Sequence, residues 1–395
     1  MRSKIIAALS AALLFVAPSA HSVSALKMDQ IPTVFAELTK DKALANPAVV
    51  LIDIKSGQIV YSRDANSQRK PASTLKVISA MSILEYMQPE STFDTAIYKT
   101  DIKNTFQVVG DFDPSITPSY SLAKSDKFVW SNYLVNKIRS ASKSRHITIR
   151  YYGLTSRTQI NMANYFRQMG YRVSWKPLPQ AASLAHTTEL LSSQTSPPLS
   201  NILRHTLLWS DNEVADYLAR YAALKAGYQY SEKGIEPLFQ EVLVKNNVQT
   251  PSINVKDGSG LSSSNRLSAM TLAQALLKIY QEPKFESVIK GLPVGGVSGT
   301  LKNRFLKTAP QGVGLVRAKT GTLNGVVNLA GYIDSGEHEY AFVILADHVR
   351  HSYYSEKAAR AAVDKILGKI AQPLIHTPTQ TAQEQSQTPI TDVTN

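Results

Sequence analysis

The chain has 395 residues, 43% of them hydrophobic, and a formal net charge of +13. That much apolar material can bury a sizeable core in more than one folded unit, which excludes a disordered or fibrous protein. With no cysteine, a disulfide framework, a thiolate nucleophile and a lipid-modified cysteine are excluded as well.

Met1-Arg-Ser-Lys4 is basic and runs into an apolar stretch from Ile5 to Val16, then small residues ending in Val23-Ser24-Ala25. This is the order of a secretory signal, with the mature chain expected from Leu26 and an exported location, periplasm or cell-wall space, to follow. Val49 to Lys55 and Gln58 to Tyr61, joined through Ser56-Gly57, read as a β-hairpin. A helix is predicted from Ala72 to Tyr86, apolar around most of its circumference and therefore buried. Yet it carries Lys76. Phe93 to Lys99 and Thr105 to Gly110 read as strands.

A basic segment follows. Between Thr117 and Gln180 eleven lysines and arginines face Asp126 alone, so most of the excess charge sits here. Its periodicity alternates: helical from Lys127 to Ser140, strand-like from His146 to Tyr152, helical from Thr158 to Met169, strand-like from Arg172 to Trp175. That pattern describes a small inserted α/β domain, bounded as 93–186 within a discontinuous main unit of 26–92 and 187–371, with Pro197-Pro198 marking the return to helix. Phe128, Trp130, Tyr133, Tyr151, Tyr152, Tyr165, Phe166, Tyr171 and Trp175 interleave with the charges. After a signal peptide, anionic wall polymers or glycan strands are the expected partners rather than nucleic acid. The plainer reading is that these aromatics form the small domain's core. Helical patterns resume from Asn201 to Lys225; Val313 to Lys319, Gly325 to Asp334 and Glu339 to Asp347 read as strands, Tyr354 to Ile370 as a helix, and 372–395 as a disordered tail.

Ser73 and Lys76, three apart on a helix, share a face. Burial lowers a lysine pKa and can make it a base near neutral pH, which turns a hydroxyl one turn away into a nucleophile. Pro71 pre-forms the first turn, and free N–H groups there suit a developing oxyanion. The spacing alone is unspecific, since Ser67/Lys70, Ser121/Lys124 and Ser140/Lys143 share it, and Lys76 could snorkel to the surface. Ser210-Asp211-Asn212 opens an amphipathic helix, where an N-cap is the plain reading. Lys319-Thr320-Gly321 lies on a late strand. The three segments together, in this order, point to an active-site serine enzyme.

These motifs resemble the S-x-x-K, S-D-N and K-T-G set of the serine penicillin-recognising enzymes. "SPPLSNILRHTLLWSDNEVAD", "KDGSGLSSSNRLS", "GVSGTLKNRF" and "AKTGTLNGVVNLAGY" narrow the resemblance to D-alanyl-D-alanine carboxypeptidases/DD-endopeptidases among low-molecular-mass penicillin-binding proteins with an inserted domain. The resemblance covers Pro47 to Asp113 and Thr188 to Ile370, and stops across Tyr120 to Ala185. It implies an α+β, β-lactamase/transpeptidase-like fold: an antiparallel sheet of about five strands shared by the N-terminal hairpin and the last three strands, flanked by helices. It implies peptidoglycan stem peptides as substrate, β-lactams as covalent inhibitors, and no cofactor or metal. By matching position, Ser73 is the nucleophile, Lys76 its base, and Ser210 and Lys319 the relay to the leaving group. Asn212, Thr320, Gly321 and Thr322 bind substrate, and the N–H groups of Ser73 and Thr322 form the oxyanion hole.

Other chemistries find less support. His348 and His351 lie i,i+3 with no H-E-x-x-H, and Ser259 and Ser298 sit among glycines outside any G-x-S-x-G elbow. A β-lactamase needs a group that activates the deacylating water, and Glu232, Glu236 and Glu241 fall in helix-like surroundings. A wall-binding or β-lactam-sensing protein with a silent site has no use for a lysine buried beside a serine.

Overall fold

The computed structural model describes residues 26–249 and 253–374; the leader expected at 1–25 and most of the tail expected at 372–395 lie outside them. The central sheet has the strand order Val316–Leu323, Val326–Ser335, His338–Ala346, Ala48–Asp53, Ile59–Arg63, antiparallel throughout. The N-terminal hairpin thus docks against the last three strands, as the resemblance implies. Successive side chains of a strand point to opposite faces, and here both faces are covered. Val50, Ile52, Ala341, Val343 and Leu345 pack into one core, Val49, Leu51, Phe342 and Ile344 into another. All six residues of Ala48–Asp53 are therefore buried.

On the first face lie the helices Lys76–Tyr86, Asn212–Lys225, Glu232–Lys245 and Ala269–Gln281; on the second lie Ile31–Leu38 and Tyr353–Gly368. Lys76–Tyr86 is the most enclosed, with Lys76 through Leu84 all buried. Its apolar character in sequence is thus explained by neighbours on every side. Among the described residues no helix is long and apolar enough to cross a membrane.

The insert leaves the main unit at Phe93 and returns at Ser196, and these two residues are tied together: Ser196 N donates to Phe93 O at 2.9 Å and Phe93 N to Ser196 Oγ at 2.9 Å. Its sheet runs Arg172–Pro177, His146–Tyr152, Thr105–Gly110, Asp94–Thr100, Thr187–Thr195. The first three strands are parallel, joined by the crossover helices Ser131–Ala141 and Ser156–Gln168. Because Thr187–Thr195 pairs with Asp94–Thr100, the boundary read at 186 moves to the prolines at 197 and 198. The helix expected from Lys127 begins only at Ser131, since Lys127 adopts φ 61° and Trp130 is extended. Tyr133, Tyr151, Tyr165, Tyr171 and Trp175 pack against the insert's own core, which includes the buried Phe166, whereas Phe128 reaches into the core of the main unit.

Candidate active site

Ser73 sits one step before the helix, on a 3₁₀ turn Ala72–Leu75; the α-helix proper starts at Lys76. The turn is bent: Ala72 has φ 48°, a left-handed conformation that non-glycine residues adopt at a cost of about 1 kcal/mol. Its surroundings hold it there. A Cβ at Gly260 would lie 1.9 Å from the Ala72 carbonyl oxygen, and one at Gly321 would lie 2.8 Å from that of Pro71. The buried Asn328 donates to the carbonyls of Lys70 and Pro71, both at 2.9 Å, while its Oδ1 accepts from Ala346 N at 3.0 Å. Close packing and one amide thus fasten the serine turn to the central sheet.

Lys76 does not snorkel. It is 1% exposed, and its Nζ lies 3.0 Å from Ser73 Oγ, 2.6 Å from Asn212 Oδ1 and 2.6 Å from the Ser259 carbonyl. Burial lowers its pKa to about 8, against the opposing pull of the Asp257, Asp211 and Asp216 carboxylates. A neutral amine has two N–H donors and one lone pair. Asn212 and Ser259 take the donors, so the lone pair is left for the Ser73 hydroxyl proton.

Ser210 ends the helix Leu199–Trp209 in the left-handed region, at φ 62°, and Asp211 caps the next helix by accepting from Val214 N at 3.0 Å. This sharp corner turns Ser210 toward Lys319, whose Nζ donates to Ser210 Oγ at 2.9 Å and to the Thr320 carbonyl at 3.0 Å. Lys319 is fully buried and pairs with no carboxylate among the described residues; burial first, and then the charge of Lys76, hold its pKa well below the usual lysine range. Thr320, Gly321 and Thr322 continue the same strand, Thr320 sharing a 2.9 Å hydrogen bond with Thr300 and Thr322 exposed. The structure therefore brings Ser73, Lys76 and Asn212 into one hydrogen-bonded group and Ser210 and Lys319 into a second.

Asp257, Ser259 and Asn328 carry no role in the sequence reading. The Asp257 carboxylate accepts from the N–H groups of Ser259, Gly260, Leu261 and Ser262. It thereby shapes the loop that aims the Ser259 carbonyl at Lys76. The sequence signal for them is that Asp257 and Ser259 lie in the stretch KDGSGLSSSNRLS, and Asn328 in AKTGTLNGVVNLAGY, segments that carry the resemblance without giving these residues a role. A cavity of ≈ 420 Å³ opens beside Asn212 and Ser259, its walls including Asp216, Arg220 and Lys256.

The three glutamates considered for water activation are otherwise occupied. Glu232 pairs with Arg220 at 3.1 Å, Glu236 accepts from Val255 N at 2.7 Å, and Glu241 receives the hydroxyls of Tyr86 and Tyr228. His348 contacts Asp347 and Arg69, and His351 contacts Glu356; among the described residues no group of three or more His, Cys, Asp or Glu could hold a metal ion.

An antiparallel five-stranded sheet, a serine and a buried lysine on the helix that leads out of it, and an inserted α/β unit define the fold of a penicillin-recognising serine enzyme. Residues 33–127 and 132–370 match the D-Ala-D-Ala carboxypeptidase 3 (S13) family, and the chain belongs to it. It is 35% identical over 190 residues to the D-alanyl-D-alanine carboxypeptidase of an Actinomadura species, an alignment that takes in 47% of this chain and 34% of that protein. The aligned stretch thus spans about a third of that relative's own length. The fold is shared with the crystal structure of penicillin binding protein 4 from Haemophilus influenzae, with a TM-score of 0.65, 17% identity, and 86% and 98% of the two chains covered. It is shared also with a predatory peptidoglycan endopeptidase from Bdellovibrio bacteriovorus, with a TM-score of 0.58, 15% identity, and 82% and 93% covered.

Proposed function

We propose that the protein is a serine-type D-Ala-D-Ala carboxypeptidase of peptidoglycan stem peptides, acting through a Ser73 acyl-enzyme, with DD-endopeptidase cleavage of cross-links open to the same site. The observation that carries this is the buried Lys76 amine, 3.0 Å from Ser73 Oγ with its two donors already engaged. Ser73 Oγ attacks the carbonyl of the penultimate D-alanine while Lys76 takes its proton. The N–H groups of Ser73 and Thr322 receive the oxyanion. Ser210, bonded to the depressed amine of Lys319, relays the Ser73 proton from Lys76 to the departing D-alanine, which returns Lys76 to its neutral form. Water then hydrolyses the ester. Because Oδ1 of Asn212 is taken by Lys76, its Nδ2 is the group left to donate to a substrate peptide carbonyl. Thr320 and Thr322 bind the terminal carboxylate, on a strand whose Gly321 lets it close on the serine turn.

A β-lactam that imitates the D-Ala-D-Ala end acylates Ser73 and leaves slowly, since Glu232, Glu236 and Glu241 are each held by other partners. Mass spectrometry of muropeptides before and after incubation is the test. Loss of one alanine from pentapeptides is expected, and conversion of cross-linked dimers to monomers would add the endopeptidase. Unchanged muropeptides would overturn the proposal and favour a silent, wall-binding protein.

Acting on peptidoglycan, the enzyme works outside the cytoplasm, in the periplasm or the cell-wall space. The insert supplies a second contact with the wall. Lys143, Arg145 and Arg172 are exposed where the strands His146–Tyr152 and Arg172–Pro177 begin, and Lys103 lines a hollow with Lys143 at the same end. None of the four has an ion-pair partner among the described residues, so their charge is available to an anionic wall polymer. Replacing all four by glutamine is expected to reduce sedimentation with purified cell wall at low salt. Equal sedimentation of the two proteins would sink the polymer contact and leave the charges as a solvated face.

A further inference from the structure

We propose that Arg157 and Asp126, both in the insert, are positioning residues for the turn Ser210-Asp211-Asn212, acting through Asp211 and His205. The Asp211 carboxylate has two sides. Oδ1 caps the helix Asn212–Lys225, while Oδ2 lies 3.7 Å from His205 Nε2 and 3.9 Å from Arg157 Nη1. Arg157 also pairs with Glu213 at 2.9 Å, and its backbone N–H donates to the Tyr217 hydroxyl at 3.2 Å. One insert residue therefore reaches the cap Asp211 and two positions, Glu213 and Tyr217, in the first two turns of the helix that carries Asn212.

His205 supplies the second grip. Its Nδ1 lies 2.6 Å from Asp126 Oδ2, and its ring lies 4.9 Å from that of Phe128, the insert side chain that enters the main core. The His205 side chain is 6% exposed, Asp211 19%, Asp126 22% and Arg157 25%, so these charges are far less screened than a surface pair. What they hold is sensitive. Ser210 sits in a left-handed conformation between two helices, and Asn212 Oδ1 is one of the two acceptors that orient the Lys76 amine. Displacing Asp211 by a fraction of an ångström moves both groups relative to Ser73.

The test is the acylation of Ser73 by a chromogenic penicillin, resolved into a binding constant and an acylation rate constant, in the full-length protein. In Arg157→Met the rate constant is expected to fall about tenfold with binding little changed, and Arg157→Lys should recover part of it. Melting temperatures should stay within about 3 °C of the parent. Asp126→Asn should slow acylation in the same way, and the double variant should lose less than the product of the single effects because both act on Asp211. A normal rate in Arg157→Met overturns the proposal; so does a slowing that follows lost stability and is not restored by lysine. If Arg157→Met does not fold, Asp126→Asn decides alone, and a normal rate there overturns it equally. The proposal rests on Ser73 as the acylated serine: a parent protein that takes up no penicillin counts against that function, whereas a labelled parent with unaltered variants counts against the positioning role only.

Discussion

A Ser73→Ala protein is expected to take up no penicillin and to release D-alanine at least about 10⁴-fold more slowly than the parent, while keeping its fold. In the proposed mechanism this oxygen forms the acyl bond, and Ser210 Oγ, the other hydroxyl of the signature segments, is bonded instead to Lys319 Nζ at 2.9 Å. The fold survives because the side chain's one hydrogen bond is to Lys76, whose amine keeps Asn212 and Ser259 as acceptors. The bent backbone at Ala72 is fixed from outside, by Gly260, Gly321 and Asn328, and does not depend on the hydroxyl. Intact-protein mass after exposure to penicillin is the direct measurement. An adduct that persists in Ser73→Ala, or one mapped to Ser210, would remove Ser73 from the mechanism.

The chemistry of this site is legible in sequence to the extent that it lies in short, self-contained segments. Lys76 stands out because most of its helix is apolar, and Lys319-Thr320-Gly321 because it occurs once, on a strand. What escapes is whatever acts across long separations. Asn328 reads as one polar residue in an apolar strand, yet it ties that strand to the serine turn more than 250 positions earlier. Asp257 lies in one of the resembling segments, but nothing local says that it orders the loop that points Ser259 at Lys76. Burial, not proximity in the chain, makes both matter.

The fold shows the same division. The two-sided central sheet is readable from unbroken apolar runs such as Ala48–Asp53. The strand Thr187–Thr195 is not, because it lies at the edge of the insert's sheet, half exposed and without alternation, and so its pattern resembles a loop. The short helix Tyr120–Ser125 buries no residue and leaves no periodic trace. The start of the helix Ser156–Gln168 is set by the Thr155 cap and is readable within two residues, but nothing local says that Arg157 meets Asp211 and Glu213.

Replacing Lys76 by methionine is expected to slow acylation by about 10³-fold and to abolish its pH dependence. In the proposed mechanism the base is the neutral amine of Lys76, whose pKa is lowered to about 8. Below that value the neutral fraction falls tenfold per pH unit, so the acylation rate should rise with pH and level off above about 8. The same shift acts on stability with a definite sign. Between about 8 and the ordinary lysine value of 10.5 the unfolded chain holds the proton and the folded one does not, so stability rises with pH across that window. At neutral pH the buried lysine therefore costs the fold about 3 kcal/mol. A methionine side chain in its place removes that cost, less what is lost when Asn212 Oδ1 and the Ser259 carbonyl have no donor. Lys76→Met should thus be nearly inactive, with the two stability terms offsetting each other at neutral pH, and its stability should lack the rise above pH 8. Urea unfolding at a series of pH values, beside stopped-flow acylation, measures both. A parent rate that is flat from about pH 6 to pH 10, or a methionine variant that keeps the parent's pH profile, would show that the proton of Ser73 goes elsewhere.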